Sequence, residues 1–317
     1  MKINLNSETK IATRDSYGNA LAELGKEHPE LVVLDADLAG ATKTGTFKKV
    51  FPERHIDCGI AEADMMGIAA GLASCGKVPF ASSFAMFATG RAFEQVRNSI
   101  AHAGLNVKIA ATHAGISVGE DGATHQCLED ISLMRTIPDM VVLNPADDVE
   151  AKACIKAAFE YKGPVYIRLG RLAVPVIFDA EDYEFEIGKG HVLKEGSDLT
   201  IFATGLTVYE SLKAAEKLAA DGIDAEVIDI HTIKPIDADL IVKSVSKTGR
   251  AVTVEEHSVI GGLYSAVCEV TAGKKPVPVH PIAVMDKFGH SGPAKELLHE
   301  FGLDAEGIYN SIKKFVG

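Results

Sequence analysis

Short runs that are apolar almost from end to end constrain this chain more than any other feature. Leu31–Leu34, Val78–Ala81, Val107–Ala111, Met140–Leu143 and Val165–Ile167 are each too short for a buried helix. Such runs suit strands covered on both faces, as in parallel sheets. Helical spacing fills the stretches between them. Residues 13–26 place Tyr17, Ala20, Leu21 and Leu24 on one side, and His28-Pro29 closes that helix. Further helical segments are expected from Ile60 to Ala73, from Ser82 to about Ala103, from Leu128 to Arg135 and from Val149 to Phe159. The rhythm resumes after residue 190, with strands at 199–204, 225–229, 251–255 and 277–284. Helices at 207–220, 237–247 and 262–272, and shorter ones from 293 onward, complete it. This alternation predicts an α/β protein of two domains, each a mostly parallel sheet flanked by helices. The looser, acidic stretch 174–190 separates them, giving domains at 1–180 and 190–317, and 317 residues is a length that suits two.

The totals narrow the partners. A formal charge of −12 with scattered acidic residues argues against nucleic acid, whose phosphates need clustered Lys and Arg. Five cysteines, odd in number, widely spaced and without a CxxC pair, indicate free thiols in a reducing compartment rather than disulfides or zinc. The N-terminal stretch has no signal-type apolar core and no run reaches transmembrane length, so the expectation is a cytoplasmic protein without a membrane partner.

One loop concentrates the chemistry. Thr112 to Gln126 follows an apolar strand, is rich in glycine, and holds His113, Glu120, Asp121 and His125 within 13 residues. Titratable groups at the exit of a buried parallel strand lie where open α/β sheets bind ligands. Two histidines flanking carboxylates can move protons or hold a hydroxylated substrate, although a solvated connection would read the same way. Asp35 and Asp37, past the strand at Leu31, are open to the same reading or to one as turn caps. Glu62 falls in the first turn of a helix of small and apolar residues, where the dipole favours its anion and apolar neighbours favour the neutral acid. Phe84, Met86 and Phe87 suit either core packing or a flat apolar pocket, and Arg171 suits an oxyanion grip or a surface ion pair. Ala39 to Thr46 lacks the order of a Walker loop. The group Glu255-Glu256-His257 before Gly261-Gly262 reads as structural, with a small anion site as the alternative.

Taken together these segments resemble the C-terminal half of the transketolase family over essentially the whole chain. Gly119-Glu-Asp-Gly-Ala-Thr-His-Gln126 resembles the family's G-E-D-G-P-T-H-Q signature, with Ala123 where proline is usual. Ile60-Ala-Glu62, Phe80 to Arg97, Thr232-Ile-Lys-Pro-Ile-Asp237 and Glu255-Glu-His257 resemble further family segments. The resemblance implies a thiamine diphosphate enzyme in which Glu62 shares a proton with a ring nitrogen of the aminopyrimidine. It places Phe84 and Phe87 against that ring and Asp37 near the cofactor. It implies that His113 and Arg171 hold the acceptor sugar phosphate, that Asp121 contacts a donor hydroxyl, and that His125 lies close to the reacting carbonyl. Thr44 would stand in for a phosphate-binding serine. The family's third pocket aromatic is replaced by the region of Gly90 and Arg91.

Family members hold the diphosphate through Mg²⁺ with a G-D-G sequence followed by Asn, and this chain has no G-D-G. The resemblance therefore implies a split transketolase. This chain would be the C-terminal subunit, and an N-terminal partner subunit would carry G-D-G…N and the divalent ion. Self-association, with two copies of each subunit, follows from the family's dimer. The rival implications are a 2-oxo acid dehydrogenase beta subunit, a deoxyxylulose-phosphate synthase, and a non-catalytic partner that kept the fold.

Overall fold

The structure is a computed structural model and describes residues 2–317. Five runs of apolar residues become the centre of a seven-stranded sheet. Its order is Thr232–Lys234, Val141–Leu143, Val165–Arg168, Lys108–Ala111, Val78–Ser82, Leu31–Asp35, His55–Asp57. Every pairing in it is parallel except that of Thr232–Lys234 with Val141–Leu143. Both faces are covered, which explains the unbroken apolar runs: Val32 and Leu34 pack into one core cluster, Leu31 and Val33 into the other. Met65, Met66, Ala69 and Ala70 of the helix Glu62–Ser74 lie on the first of these faces.

A five-stranded sheet forms the second half, in the order Val279–Val284, Ala251–Ser258, Leu199–Ala203, Ala225–Asp229, His191–Lys194. It is parallel apart from its last, antiparallel edge strand. The α/β class with mostly parallel sheets is therefore what the chain adopts. Five short strands escape the sequence pattern, the edge strands His55–Asp57 and His191–Lys194 among them. Lys10–Ala12 pairs antiparallel with Ala173–Pro175, and Thr232–Lys234 leaves the second half to edge the first sheet. Three-residue strands show no periodicity, and their pairings are fixed by distant segments rather than by local preference. The helix expected from Ser82 to Ala103 also departs from expectation. It is wound as π-helix over Met86–Arg91 and Val96–Ala101 around one short α-helical stretch, Phe93–Gln95. Such wide turns accommodate an extra residue and recur at functional sites.

Charged groups buried between the two sheets join the halves. Arg168 Nε donates to Asp130 Oδ2 at 2.7 Å, its Nη2 donates to the Glu256 carbonyl at 3.0 Å, and the Tyr166 hydroxyl donates to Asp130 at 2.6 Å. Burial opposes the charge on Asp130, but Arg168, His257 and these hydrogen bonds hold its carboxyl below the ordinary range. Glu255 is spent on structure: its carboxylate accepts from Leu263 N (2.6 Å) and Tyr264 N (2.8 Å), occupying the helix start where a bound anion would sit. Asp130→Ala should lower unfolding stability by about 3–5 kcal/mol, since it strips the main partner from a buried guanidinium. Urea denaturation measures this, and a loss under about 1 kcal/mol, the level of an exposed pair, would contradict it.

Candidate active site

Parallel strands end on the same edge, and that edge gathers the candidate residues. Leu31–Asp35 leads to Asp37, Val78–Ser82 to Ser83 and Phe84, Lys108–Ala111 to Thr112 and His113, and Val165–Arg168 to Arg171. Two backbone bonds stitch adjacent strand exits together, Thr112 N to Ser83 O (3.1 Å) and Ala85 N to Thr112 O (2.7 Å). Phe84 is thereby laid on His113, with ring centroids 3.9 Å apart and planes 28° apart. Phe87 lies near-parallel to Phe84 at 6.3 Å, and His125 stands edge-on to Phe87 at 5.3 Å.

Glu62 meets this aromatic group through its neighbours. It is 2% exposed. Its Oε2 accepts from Arg91 Nη1 at 2.8 Å, and Arg91 lies over the Phe87 ring. Its Oε1 has only a long contact, 3.4 Å, from the hydroxyl of Ser83, next to Phe84. A buried carboxylate oxygen with spare acceptor capacity, beside two near-parallel rings, fits a flat heteroaromatic ring bearing a hydrogen-bonding nitrogen. Among the described residues no group of three or more His, Cys, Asp or Glu is placed to hold a metal ion.

Cations line the other side. Arg14 Nη1 donates to His113 Nε2 at 3.1 Å and also contacts the Ala41 carbonyl. A guanidinium only donates, so Nε2 is the bare nitrogen of His113, and Nδ1–H donates to Thr112 Oγ1 at 2.8 Å. Burial first, then Arg14 and Arg171, push the pKa of His113 down to about 3. Arg171 is tied to Glu120 (2.7 Å) and to the Val118 carbonyl. Arg14, Arg171, Glu120, Ser117 and Lys295 line an open cavity of about 460 Å³. Its positive groups suit an oxyanion.

The remaining candidates are placed less centrally. Asp37 is exposed at the same sheet edge, its left-handed backbone (φ 59°) held by a bond from its amide to Asp57 (3.1 Å). Asp121 is exposed on the glycine-rich loop. Thr44 is wholly buried and donates to Asp35 Oδ2 at 2.9 Å, so its hydroxyl faces the interior rather than the cavity. Sequence reasoning passed over Arg14, Ser83 and the part played by Arg91. Arg14 did carry a signal: a cation in the first turn of the helix Thr13–Glu27 opposes the helix dipole and asks for another reason to be there.

Family models cover both halves of the chain. The model described as "Transketolase, pyrimidine binding domain" matches residues 9–176, and "Transketolase, C-terminal domain" matches residues 188–308. The chain belongs to the transketolase family. It is 54% identical over 304 residues to the "Putative transketolase C-terminal section" of Methanocaldococcus jannaschii, covering 94% of each chain. It is 46% identical over 295 residues to the "6-deoxy-6-sulfo-D-fructose transketolase subunit SqwH" of a Clostridium species, covering 93% of this chain and 91% of that one. A solved structure described as "Split gene transketolase, inactive beta4 tetramer" superposes with a TM-score of 0.89 at 54% identity, over 96% of this chain and 98% of that one. Transketolase membership implies thiamine diphosphate as cofactor. No helix among the described residues is long and apolar enough to cross a membrane.

The buried, arginine-flanked setting of His113 has a direct consequence. Its ring should stay neutral, protonated at Nδ1, from about pH 5 to about pH 8, where an unperturbed histidine titrates. Nitrogen-15 NMR of the imidazoles reads this, and an imidazolium signal from His113 within that range would contradict the geometry.

Proposed function

We propose that this chain is the C-terminal subunit of a split, thiamine diphosphate-dependent transketolase that transfers a two-carbon ketol unit from a ketose phosphate to an aldose phosphate. The observation that carries the reading is Glu62, a buried carboxylate with one underused oxygen, joined through Ser83 and Arg91 to the near-parallel rings of Phe84 and Phe87. Relatives described as a C-terminal section and as a split-gene enzyme, matched over nearly their whole length, support it. When bound, the coenzyme supplies a carbon nucleophile and an electron sink. In this reading residues 1–180 form the pyrimidine-binding domain and residues 190–317 the C-terminal domain.

Each side chain then has a task. Glu62 shares a proton with the ring nitrogen of the aminopyrimidine, and burial keeps water from competing for that proton. Phe84 and Phe87 give the ring an apolar wall, and Asp37 lies near the cofactor at the sheet edge. Arg171 and Arg14 bind the phosphate of the acceptor sugar, with His113 fixing Arg14 by accepting from it. Asp121 contacts a donor hydroxyl, and His125, edge-on to Phe87, stands near the reacting carbonyl. The buried hydroxyl of Thr44 is left out of this scheme. Diphosphate and Mg²⁺ are held by an N-terminal partner subunit carrying G-D-G…N, and copies of this chain also associate with one another.

Glu62→Gln should lower turnover of xylulose 5-phosphate with ribose 5-phosphate by at least about a hundredfold in the complex reconstituted with its partner, the scale of general acid–base catalysis. Assembly should be unaffected. Undiminished turnover would remove the proton-sharing role. Turnover of pyruvate with glyceraldehyde 3-phosphate instead of the sugar pair would favour the synthase reading.

A further inference from the structure

Arg91 has no task in the scheme above, yet it touches two of the groups that scheme depends on. Its Nη1 donates to Glu62 Oε2 at 2.8 Å, and its Cζ lies 4.5 Å from the centre of the Phe87 ring. The π-helix Met86–Arg91 brings it there: Ala92 N bonds back five residues to the Phe87 carbonyl (3.2 Å), and the turn is wide enough to carry one extra residue. Gly90 belongs to the same arrangement, since a Cβ at that position would come within 2.5 Å of the Met86 methyl. The carboxylate end of the pair is 2% exposed while the guanidinium end is 51% exposed. Such a pair adds little to stability through its exposed end, but it determines where the buried end points.

We propose that Arg91 is a positioning residue that divides the work between the two oxygens of Glu62. It occupies Oε2 and thereby presents Oε1 to the coenzyme ring. This rests on the assignment of Glu62 in the proposed function. Oε1 has one contact, the 3.4 Å approach of Ser83 Oγ, at the outer limit of a hydrogen bond, so its acceptor capacity is the part left unused. With a cation bound to Oε2, turning the carboxylate to exchange its oxygens would break a charge-assisted bond in a buried setting. A planar guanidinium lying on Phe87 also ties the Glu62 carboxylate to the ring that walls the pocket. Lysine would keep the charge and lose the plane.

The test uses the complex of this chain with its partner subunit, comparing Arg91→Gln, Arg91→Lys and Glu62→Gln. Arg91→Gln should lower kcat about a hundredfold, the effect of misplacing a reacting group by roughly 1 Å, and should weaken calorimetric binding of thiamine diphosphate with Mg²⁺ about tenfold. The KM for ribose 5-phosphate and the melting temperature should hold, because neither Arg14 nor the core is touched. Arg91→Lys should recover part of both losses. Wild-type kcat and affinity in Arg91→Gln would overturn the proposal. So would tighter coenzyme binding, which would make Arg91 a plug in the pocket, or a loss that merely follows a lowered melting temperature. Glu62→Gln separates the two levels. If it retains turnover, the assignment of Glu62 itself fails; if it loses turnover while Arg91→Gln does not, only the role of Arg91 fails.

Discussion

A guanidinium held between two carboxylates where the sheets meet is the constraint on which the site depends. Arg168 is 2% exposed, bonds Asp130 through Nε and Nη2, and lies 3.9 Å from the Glu256 carboxylate. Burying one of these charges alone would be prohibitive; burying them together obliges the strand Val165–Arg168, the helix Asp130–Thr136 and the strand Ala251–Ser258 to stay in one arrangement. Burial first of all pushes the Glu256 carboxyl up to about 7, against the pull of Arg168, and Glu256 also accepts from Ser117 N at 3.1 Å. The second half of the chain therefore supports the glycine-rich loop as well as packing against it. Gln126 adds a second strut, donating to the His290 carbonyl at 2.9 Å. Gly115, with φ 85°, lies so close to Glu256 that a Cβ would collide with its carboxylate.

That support lets one short loop separate two kinds of chemistry. On one side a carboxylate is kept from water beside aromatic rings; on the other, Arg14 and Arg171 face an open cavity. His113 stands between them, uncharged, its two nitrogens committed to Thr112 and Arg14. An imidazolium there would repel the arginines, and burial already disfavours it.

The sequence disclosed the parallel sheets because strands covered on both faces must be apolar at successive positions, as Leu31–Asp35 is. It disclosed the loop because His113 and His125, close in the chain, also meet around Phe84 in space. It did not disclose what depends on distance. Arg168 sat in an apolar strand and Asp130 in an ordinary helix start, and neither announced its partner 38 residues away. The edge strand Thr232–Lys234 joins a sheet assembled from residues far upstream, so no local pattern marks it. Arg91 was visible as a residue where the family has an aromatic, but only the π-turn shows that its guanidinium reaches Glu62. Thr44 shows what the sequence leaves out about direction: its hydroxyl is turned inward by Asp35.

On the proposed reading this chain supplies the acid, the aromatic wall and the cations, while the anchor for metal and diphosphate comes from elsewhere. The most direct test of that reading is titration of the isolated chain with Mn²⁺ in the presence of thiamine diphosphate, following the free ion by electron paramagnetic resonance. No stoichiometric uptake is expected by this chain alone, and uptake is expected once the partner subunit is added. Tight, stoichiometric binding of the ion and the whole coenzyme by this chain by itself would contradict it.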